Sequence, residues 1–526
     1  MNQAVTEDTA RAEGPASTPP APADHTRRAA RGFVSIAGSK LYFLLAGYAA
    51  QMFLPRLLGS PEAFGLFSAA LSFLSILNNV LVGATVQVVS KRVSEDRGRA
   101  PYALRQALEL QLGLGLFLAA LLFGCAPLLG ERVLLDPLLT PLFRLSGAIV
   151  LAYALYTAFI GALNGQQEFR TQARFDMGYT TLRTLGMLGA AALGFGALGA
   201  FYGFALAAWL VMLASALVVG LGKRGERAPL SSWVSFMAPL WMYQLCQNLL
   251  LQADTTLLKR SVAAVMQAQG SDLAAAAETA SRYVGFYRAA QTFAFVPFQL
   301  IMSVALVLFP MVSQAVSLGD EAAAARYIRA ALRFSLLVLL SVAAPIAGAS
   351  RGVMQLVYPA AYAEGAGALS VLAIAMVGMG LFVISATIMT GAGKPALAAR
   401  IAIVAVLIVV LGNLGLVHYV GVGEHTLTAA ALGTGAGILV ALIALGRAVQ
   451  LRFGAFIPVA SVLRALAAGT VAVVLAQLSS QLVHLPAKLG TLVSLTFGFV
   501  GYAATLALLR ELGPTDYAAI KRLVRR

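Results

Sequence analysis

Residues Glu62–Glu109, EAFGLFSAALSFLSILNNVLVGATVQVVSKRVSEDRGRAPYALRQALE, recur in altered form as Ser281–Arg333, SRYVGFYRAAQTFAFVPFQLIMSVALVLFPMVSQAVSLGDEAAAARYIRAALR. With Gly65 placed on Gly285, Ser68 meets Arg288, Ser72 meets Thr292, Asn79 meets Gln299 and Gly83 meets Ser303. After a short gap YALRQAL aligns with RYIRAAL. Shared Leu and Ala follow from any two apolar helices, but a shared polar loop does not. A weaker match sets GALNGQQEF (161–169) beside TGAGKPALA (390–398).

The repeat is embedded in a membrane-type chain. Only 11% of the 526 residues are charged and the mean hydropathy is +0.81, whereas a soluble domain carries about 25% charged residues. Apolar windows recur from Phe33 to Leu509, each long enough to cross about 30 Å of hydrocarbon and too long for the strands of a barrel. Punctuation by charge, Gly and Pro divides them into fourteen expected spans, 33–57, 64–90, 103–126, 141–163, 177–195, 197–220, 233–258, 284–312, 332–357, 366–391, 396–418, 426–446, 459–480 and 489–510. The two copies begin on the second and eighth spans, six apart. They share one orientation and are related by an axis along the membrane normal, as in transporters that rock two lobes about a central site.

Of the 38 Lys and Arg, 29 fall in loops or helix ends on the side of the N-terminus and nine on the other. Basic residues mark cytoplasmic loops, so both termini are expected in the cytoplasm. The formal charge of +16 therefore belongs to short loops and not to a nucleic-acid-binding face. Residues 1–31 are expected to be a disordered cytoplasmic tail and not a signal peptide. The remaining domains are 32–222 (spans one to six), 223–450 (spans seven to twelve), 451–512 (the last two) and a basic cytoplasmic tail, 513–526.

Polar side chains in lipid are costly unless they face protein or a wet cavity. On the seventh span, at about 100° per residue from Gln244, Asn248 lies at about 40°, Gln252 at about 80°, Thr255 at about 20° and Asp254 at about 280°. The second span carries Ser68, Ser72, Ser75 and Asn79 on one face; the eighth carries Arg288, Gln291, Thr292, Gln299 and Ser303. Ser and Thr serve equally as interhelix glue. The larger Gln244, Asn248 and Gln299 point to a wet cavity. Lys40 and Arg56 suit snorkelling to headgroups, whereas Arg288 stands on a polar stripe and suits phosphate or carboxylate recognition. Pro55, Pro239, Pro297, Pro310 and Pro345 are kink or hinge candidates.

Catalytic chemistry is missing. GAGKPA lacks the first Gly of a phosphate loop and has Pro395 where Ser or Thr is needed. Cys125 and Cys246 lie in apolar runs, and His418, His425 and His484 are assigned to outer loops without metal-ligand spacing. The longest outer loop, roughly Lys259 to Tyr283, is Ala- and Gln-rich, with Ser271-Asp272 capping a short helix. Neither an enzyme nor a metal protein is expected.

Several stretches together resemble the polysaccharide exporters of the multidrug/oligosaccharidyl-lipid/polysaccharide flippase superfamily, specifically Wzx-type flippases of lipid-linked oligosaccharide. These are LPRLLGSPEAFGLFSAALSFLSIL, ALNGQQEFRTQA, QNLLLQADTTLL, VGFYRAAQTFAFVPFQLIMSVALVLFPMVSQ and YPAAYAEGAGALSVLAIA, in this order. The resemblance, over about 33–510, implies an all-α integral membrane fold: fourteen transmembrane helices in two pseudo-symmetric six-helix lobes forming a V, plus two C-terminal helices. It implies translocation of a polyprenyl-pyrophosphate-linked O-antigen or exopolysaccharide unit across the bacterial inner membrane by alternating access, driven by a Na+ or H+ gradient. No other cofactor and no nucleic acid is implied; membrane lipids and polysaccharide polymerase machinery are the other partners. Arg288 and Asp254 are the positions carried over, although the insertion after the seventh span departs from the family's compact pattern. Alternatives are a peptidoglycan lipid-precursor flippase and, in another class, a non-transporting scaffold or ligase for surface polymers.

The expected substrate cavity comprises Arg288, Gln244, Asn248, Asn79, Gln299, Gln291, Ser72 and Arg56, with Asp254 as the ion-coupling acid. Asp254 lies 21 residues beyond Trp233, about 32 Å along a helix, so it is expected at the outer rim as a wetted interfacial acid. Lys259 and Arg260, five and six residues on, lack the spacing of a helical ion pair with it.

Overall fold

The long apolar windows fold as helices because a helix satisfies every backbone polar group within its own segment, which lipid requires. The computed structural model describes residues 22–225, 227–482, 485–511 and 513, without the side chains of 22–37, 236, 302–307, 309 and 310. His484 and the tails 1–21 and 514–526 lie outside the described residues. The helices are α1 (Pro22–Leu57), α2 (Pro61–Glu95), α3 (Ala100–Pro127), α4 (Leu139–Gly165), α5 (Phe169–Ala192), α6 (Gly196–Val219), α7 (Leu230–Ala268), α8 (Leu273–Ser317), α9 (Glu321–Gly348), the short α10 (Ser350–Val357), α11 (Ala366–Gly391), α12 (Pro395–Val420), α13 (Thr426–Phe453), α14 (Val459–Leu482) and α15 (Ala487–Leu508). There is no strand among the described residues.

Thirteen of the expected spans fall on one long helix each. The expected span 332–357 is broken at Ala349, just after Pro345, and yields the end of α9 and all of α10. α1 begins at Pro22, so 22–31, expected in the disordered tail, is helical; Pro suits the first turn and the Ala and Arg that follow are good helix formers. The expected outer loop 259–283 is almost entirely helix. α7 runs on to Ala268, and Asp272 caps α8 by accepting the Ala275 N–H at 2.7 Å. The cap is where the sequence places it, but the helix behind it is the 45-residue α8 and not a short one.

Among the described residues, ten helices are long and apolar enough to cross a membrane by length and composition. α5 and α7, which carry Arg183 and Asp254, are not among them. α1 packs on α5, α5 on α6, α6 on α4, and α4 on α2 and α3. A second group joins α7 with α8 and α12, α8 with α9 and α11, and α13 with α11 and α12. α14 and α15 pack on each other and on α9. Glu511, just beyond α15, accepts from Arg333 of α9 at 2.8 Å and Arg464 of α14 at 3.0 Å. Burial pushes its carboxyl up, but the hydrogen bonds from Arg333, Ser461 and Arg464 more than offset this and hold it below the usual range.

α2 bridges the two groups by packing on α7 and α8. Where α2 crosses α8, a Cβ at Gly65 would lie 1.7 Å from the Ser281 carbonyl oxygen, and one at Gly285 would lie 2.2 Å from that of Pro61. These are the two glycines equated by the sequence repeat. In a two-fold arrangement equivalent residues meet each other on the axis, so the axis relating the copies passes through this crossing. Gly65→Ala is expected to force the backbones apart and cost about 1–3 kcal/mol. Gly113→Ala in α3, where a Cβ meets nothing within 4 Å, should leave the thermal midpoint of the detergent-purified protein unchanged or slightly raised.

Candidate functional site

A cavity of about 290 Å3 lies between the two groups, lined by α1, α2, α5, α7 and α8. Two of these five, α5 and α7, are too polar to count among the ten apolar helices, and their Arg183 and Gln252 face the cavity and not lipid. Arg288, Asn79 and Gln299 line it, together with Gln252, Ser75, Tyr48, Gln51 and Arg183.

Arg288 donates from Nη1 to Gln252 Oε1 at 3.2 Å and to Gln291 Oε1 at 3.1 Å. Its Nε is buried without a partner. Arg183, from the opposite wall on α5, stacks its guanidinium carbon 5.3 Å from the Phe43 ring centre, 5.7 Å from Tyr179 and 5.6 Å from Phe204. An aromatic cage of this kind holds a guanidinium by cation–π attraction. Its Nε too has no partner, as have Tyr48 Oη and Gln51 Oε1. Buried polar atoms are normally satisfied, so these four form a set of unused donors and acceptors around one space.

Behind Arg288 lies a buried network. Gln291 accepts from Arg288 and from Thr255 Oγ1 and donates to both Asp254 carboxylate oxygens at 3.0 Å. Asp254 further accepts from Tyr287 Oη at 2.8 Å, Thr255 N at 2.8 Å and Thr434 Oγ1 at 3.2 Å. Asn413 of α12 donates to Thr434 of α13 at 3.3 Å and keeps a buried Oδ1 without a partner. The cationic cavity wall and the acid are thus joined through one glutamine.

Several expected positions lie elsewhere. Asp254 is 1% exposed and not a wetted rim residue; α7 continues fourteen residues beyond it to Ala268, so counting from Trp233 to a span end at 258 misplaced it. Gln291 is 1% exposed and serves as the link just described, off the cavity lining. Ser72 is fully buried, one turn before the stripe on α2 opens into the cavity at Ser75 and Asn79. Asn248 is buried and accepts from Asn79 Nδ2 at 2.7 Å, so it binds α7 to α2. Gln244 lies against Gly83, whose missing side chain admits it. Arg56 is exposed at the end of α1 and donates to the Val357 carbonyl at the end of α10.

Beyond the cavity, Lys259 of α7 is fully buried and pairs with Asp136, in the connection between α3 and α4, at 2.6 Å. It also donates to the Ala277 carbonyl at 2.7 Å and to Ser281 Oγ. Arg260 beside it donates to the Arg132 and Val133 carbonyls. With the Gly65–Gly285 crossing, these contacts close the α7–α8 end of the cavity. Sequence reading missed Arg183 and Gln252 as lining residues and Lys259–Asp136 as a pair. Gln252 carried a signal, since it lies on the α7 stripe. The pair carried none, because its members are 123 residues apart.

The fold is shared with known transporters. A structure of the lipid II flippase MurJ in an inward closed conformation superposes with a TM-score of 0.73, covering 91% of this chain and 99% of that one at 12% identity. An inward-facing multidrug resistance MATE family transporter of the MOP superfamily gives 0.62, covering 78% and 94% at 18% identity. A MOP superfamily transporter from Pyrococcus furiosus gives 0.57, covering 80% and 95% at 17% identity. No curated protein matches the sequence. The polysaccharide biosynthesis protein family matches residues 29–316, more than half of the chain. This multi-pass membrane protein, with the fold of the MOP-type flippases, belongs to the polysaccharide biosynthesis protein family.

Proposed function

We propose that the protein is a flippase, not an enzyme, that carries a polyprenyl-pyrophosphate-linked O-antigen or exopolysaccharide unit across the bacterial inner membrane by alternating access. One observation carries this reading: guanidinium groups from opposite walls, Arg288 and Arg183, face one cavity with unused hydrogen-bonding atoms. Guanidinium is suited to pyrophosphate, and the amides of Asn79, Gln252 and Gln299 are suited to sugar hydroxyls. Rocking of the α1–α6 group against α7–α13 would open the end now closed by the Gly65 crossing and pass the headgroup between leaflets. Both termini are cytoplasmic in this reading. Asp254 carries the coupling ion, Na+ or H+, and loading it is transmitted through Gln291 to Arg288. For a cation the oxygen set is the Asp254 carboxylate, Thr434 Oγ1 and Asn413 Oδ1, which suits a hard ion.

A peptidoglycan lipid precursor is the second cargo reading, favoured by the extent of the fold match to a lipid II flippase. Proteoliposomes loaded separately with polyprenyl-pyrophosphate oligosaccharide and with lipid II distinguish them by which headgroup becomes accessible in the opposite leaflet. Arg288→Gln is expected to slow transfer of the favoured cargo by about tenfold or more, the loss of one charge-assisted contact. Unchanged transfer at equal reconstitution would remove Arg288 from the cargo site.

A further inference from the structure

A second, larger cavity of about 1010 Å3 lies outside the central site, as a groove walled by α9, α11, α13 and α14. α14 packs on α9 and α15 and stands off from α11 and α13, which leaves the groove open between them. Its walls are apolar, including Leu336, Leu340, Leu439, Leu442 and Phe456, and its polar members Arg329, Arg447 and Gln450 gather at one end. Both arginines are exposed, and neither makes an ion pair or hydrogen bond among the described residues.

From the geometry we infer that this groove holds one anionic phospholipid of the cytoplasmic leaflet, its phosphate at Arg329 and Arg447 and an acyl chain along the apolar wall. Two helices measure its depth independently. On α9 the lining runs from Arg329 to Leu340 and on α13 from Gln450 back to Leu439, eleven residues in each case, or about 16 Å at the helical rise. One leaflet of hydrocarbon is about 15 Å thick, so the groove matches a phospholipid chain and is shorter than a polyprenyl tail. The charged end is the one where α9 and α14 begin and α13 ends. The proposal rests on the cytoplasmic orientation given above and not on the identity of the cargo. An anionic headgroup is selected because two guanidiniums at a water–lipid boundary attract phosphate-bearing lipids with net negative charge over zwitterionic ones.

The test is retention of lipid by the full-length, delipidated protein in detergent, titrated with phosphatidylglycerol or phosphatidylcholine and read by native mass spectrometry. One phosphatidylglycerol should be retained at concentrations where phosphatidylcholine is not. Arg329→Gln with Arg447→Gln should weaken that retention by about tenfold or more, and Leu442→Trp, which fills the groove and keeps both arginines, should abolish it. Equal retention of the two lipids, or wild-type retention by the double arginine variant, overturns the proposal. Displacement of phosphatidylglycerol by equimolar polyprenyl phosphate also overturns it, by giving the groove to the cargo. No transport is measured, so failure here leaves the flippase reading standing, and failure of that reading leaves the groove untouched.

Discussion

Lys259→Met alone is expected to destabilise the detergent-purified protein by about 3–5 kcal/mol, and Lys259→Met with Asp136→Leu to recover most of that loss. The reason is the asymmetry of buried charge. In the wild type all three ammonium protons have acceptors, Asp136, the Ala277 carbonyl and Ser281. Asp136 is itself held in place, with Oδ1 accepting the Leu138 N–H at 3.0 Å and its own N–H bonded to the Gly130 carbonyl at 2.8 Å. Removing only the lysine strands a carboxylate at a site almost without solvent access, where it retains its desolvation cost and loses its counter-charge. Replacing both by apolar residues removes cost and gain together. Because Asp136 belongs to the α3–α4 connection and Lys259 to α7, the pair also ties the two helix groups at the end where the cavity is closed. Denaturant or thermal unfolding of the two single variants and the double variant forms a double-mutant cycle. A double variant as unstable as the singles would mean that the site depends on the Ser281 and Ala277 contacts more than on the pair.

The second large effect is expected at Asp254. In proteoliposomes with an imposed membrane potential and ion gradient, Asp254→Asn should transfer cargo without responding to either. One charge moving through about 100 mV is worth about 2.3 kcal/mol, a ratio of about 50 at room temperature, and this is the driving that the variant would forgo. Asparagine keeps the shape and can still accept from Tyr287 and Thr434, so cargo binding should survive; it lacks the negative charge that a cation or proton would neutralise. Gln291→Leu provides the complementary measurement. It leaves Asp254 ionisable but breaks the only hydrogen-bonded path to Arg288 among the described residues, so gradient sensitivity should fall there too. An Asp254→Asn protein that still responds to the gradient would remove the acid from coupling and leave it as a tie between α7, α8 and α13.

The interior of this molecule was partly legible beforehand. The repeat equated Gly65 with Gly285 in sequence, and the structure adds that those two residues come into backbone contact. The stripes on α2, α7 and α8 were readable because a helix sorts its faces by a local period that any single segment records. Within those stripes, the finer assignments divide according to neighbours. Ser72 and Asn79 occupy one face of one helix, yet one is fully buried and the other reaches the cavity, a difference set by the neighbouring helices. Arg183 carried no sequence signal for the cavity, because its partner across the space, Arg288, sits on another helix 105 residues later.

Sequence alone determined the membrane class, the division into long helices, the repeat and the polar face of α7, all consequences of composition and short-range periodicity. The tertiary structure decided that Asp254 is a buried, fully hydrogen-bonded acid, that Lys259 answers Asp136, and that Arg183 shares a cavity with Arg288. Those facts depend on how far α7 continues past its apolar stretch and on which distant segments pack against it. A carboxylate's environment is set by the side chains within a few ångströms in space, and the fold draws these from residues far apart along the chain.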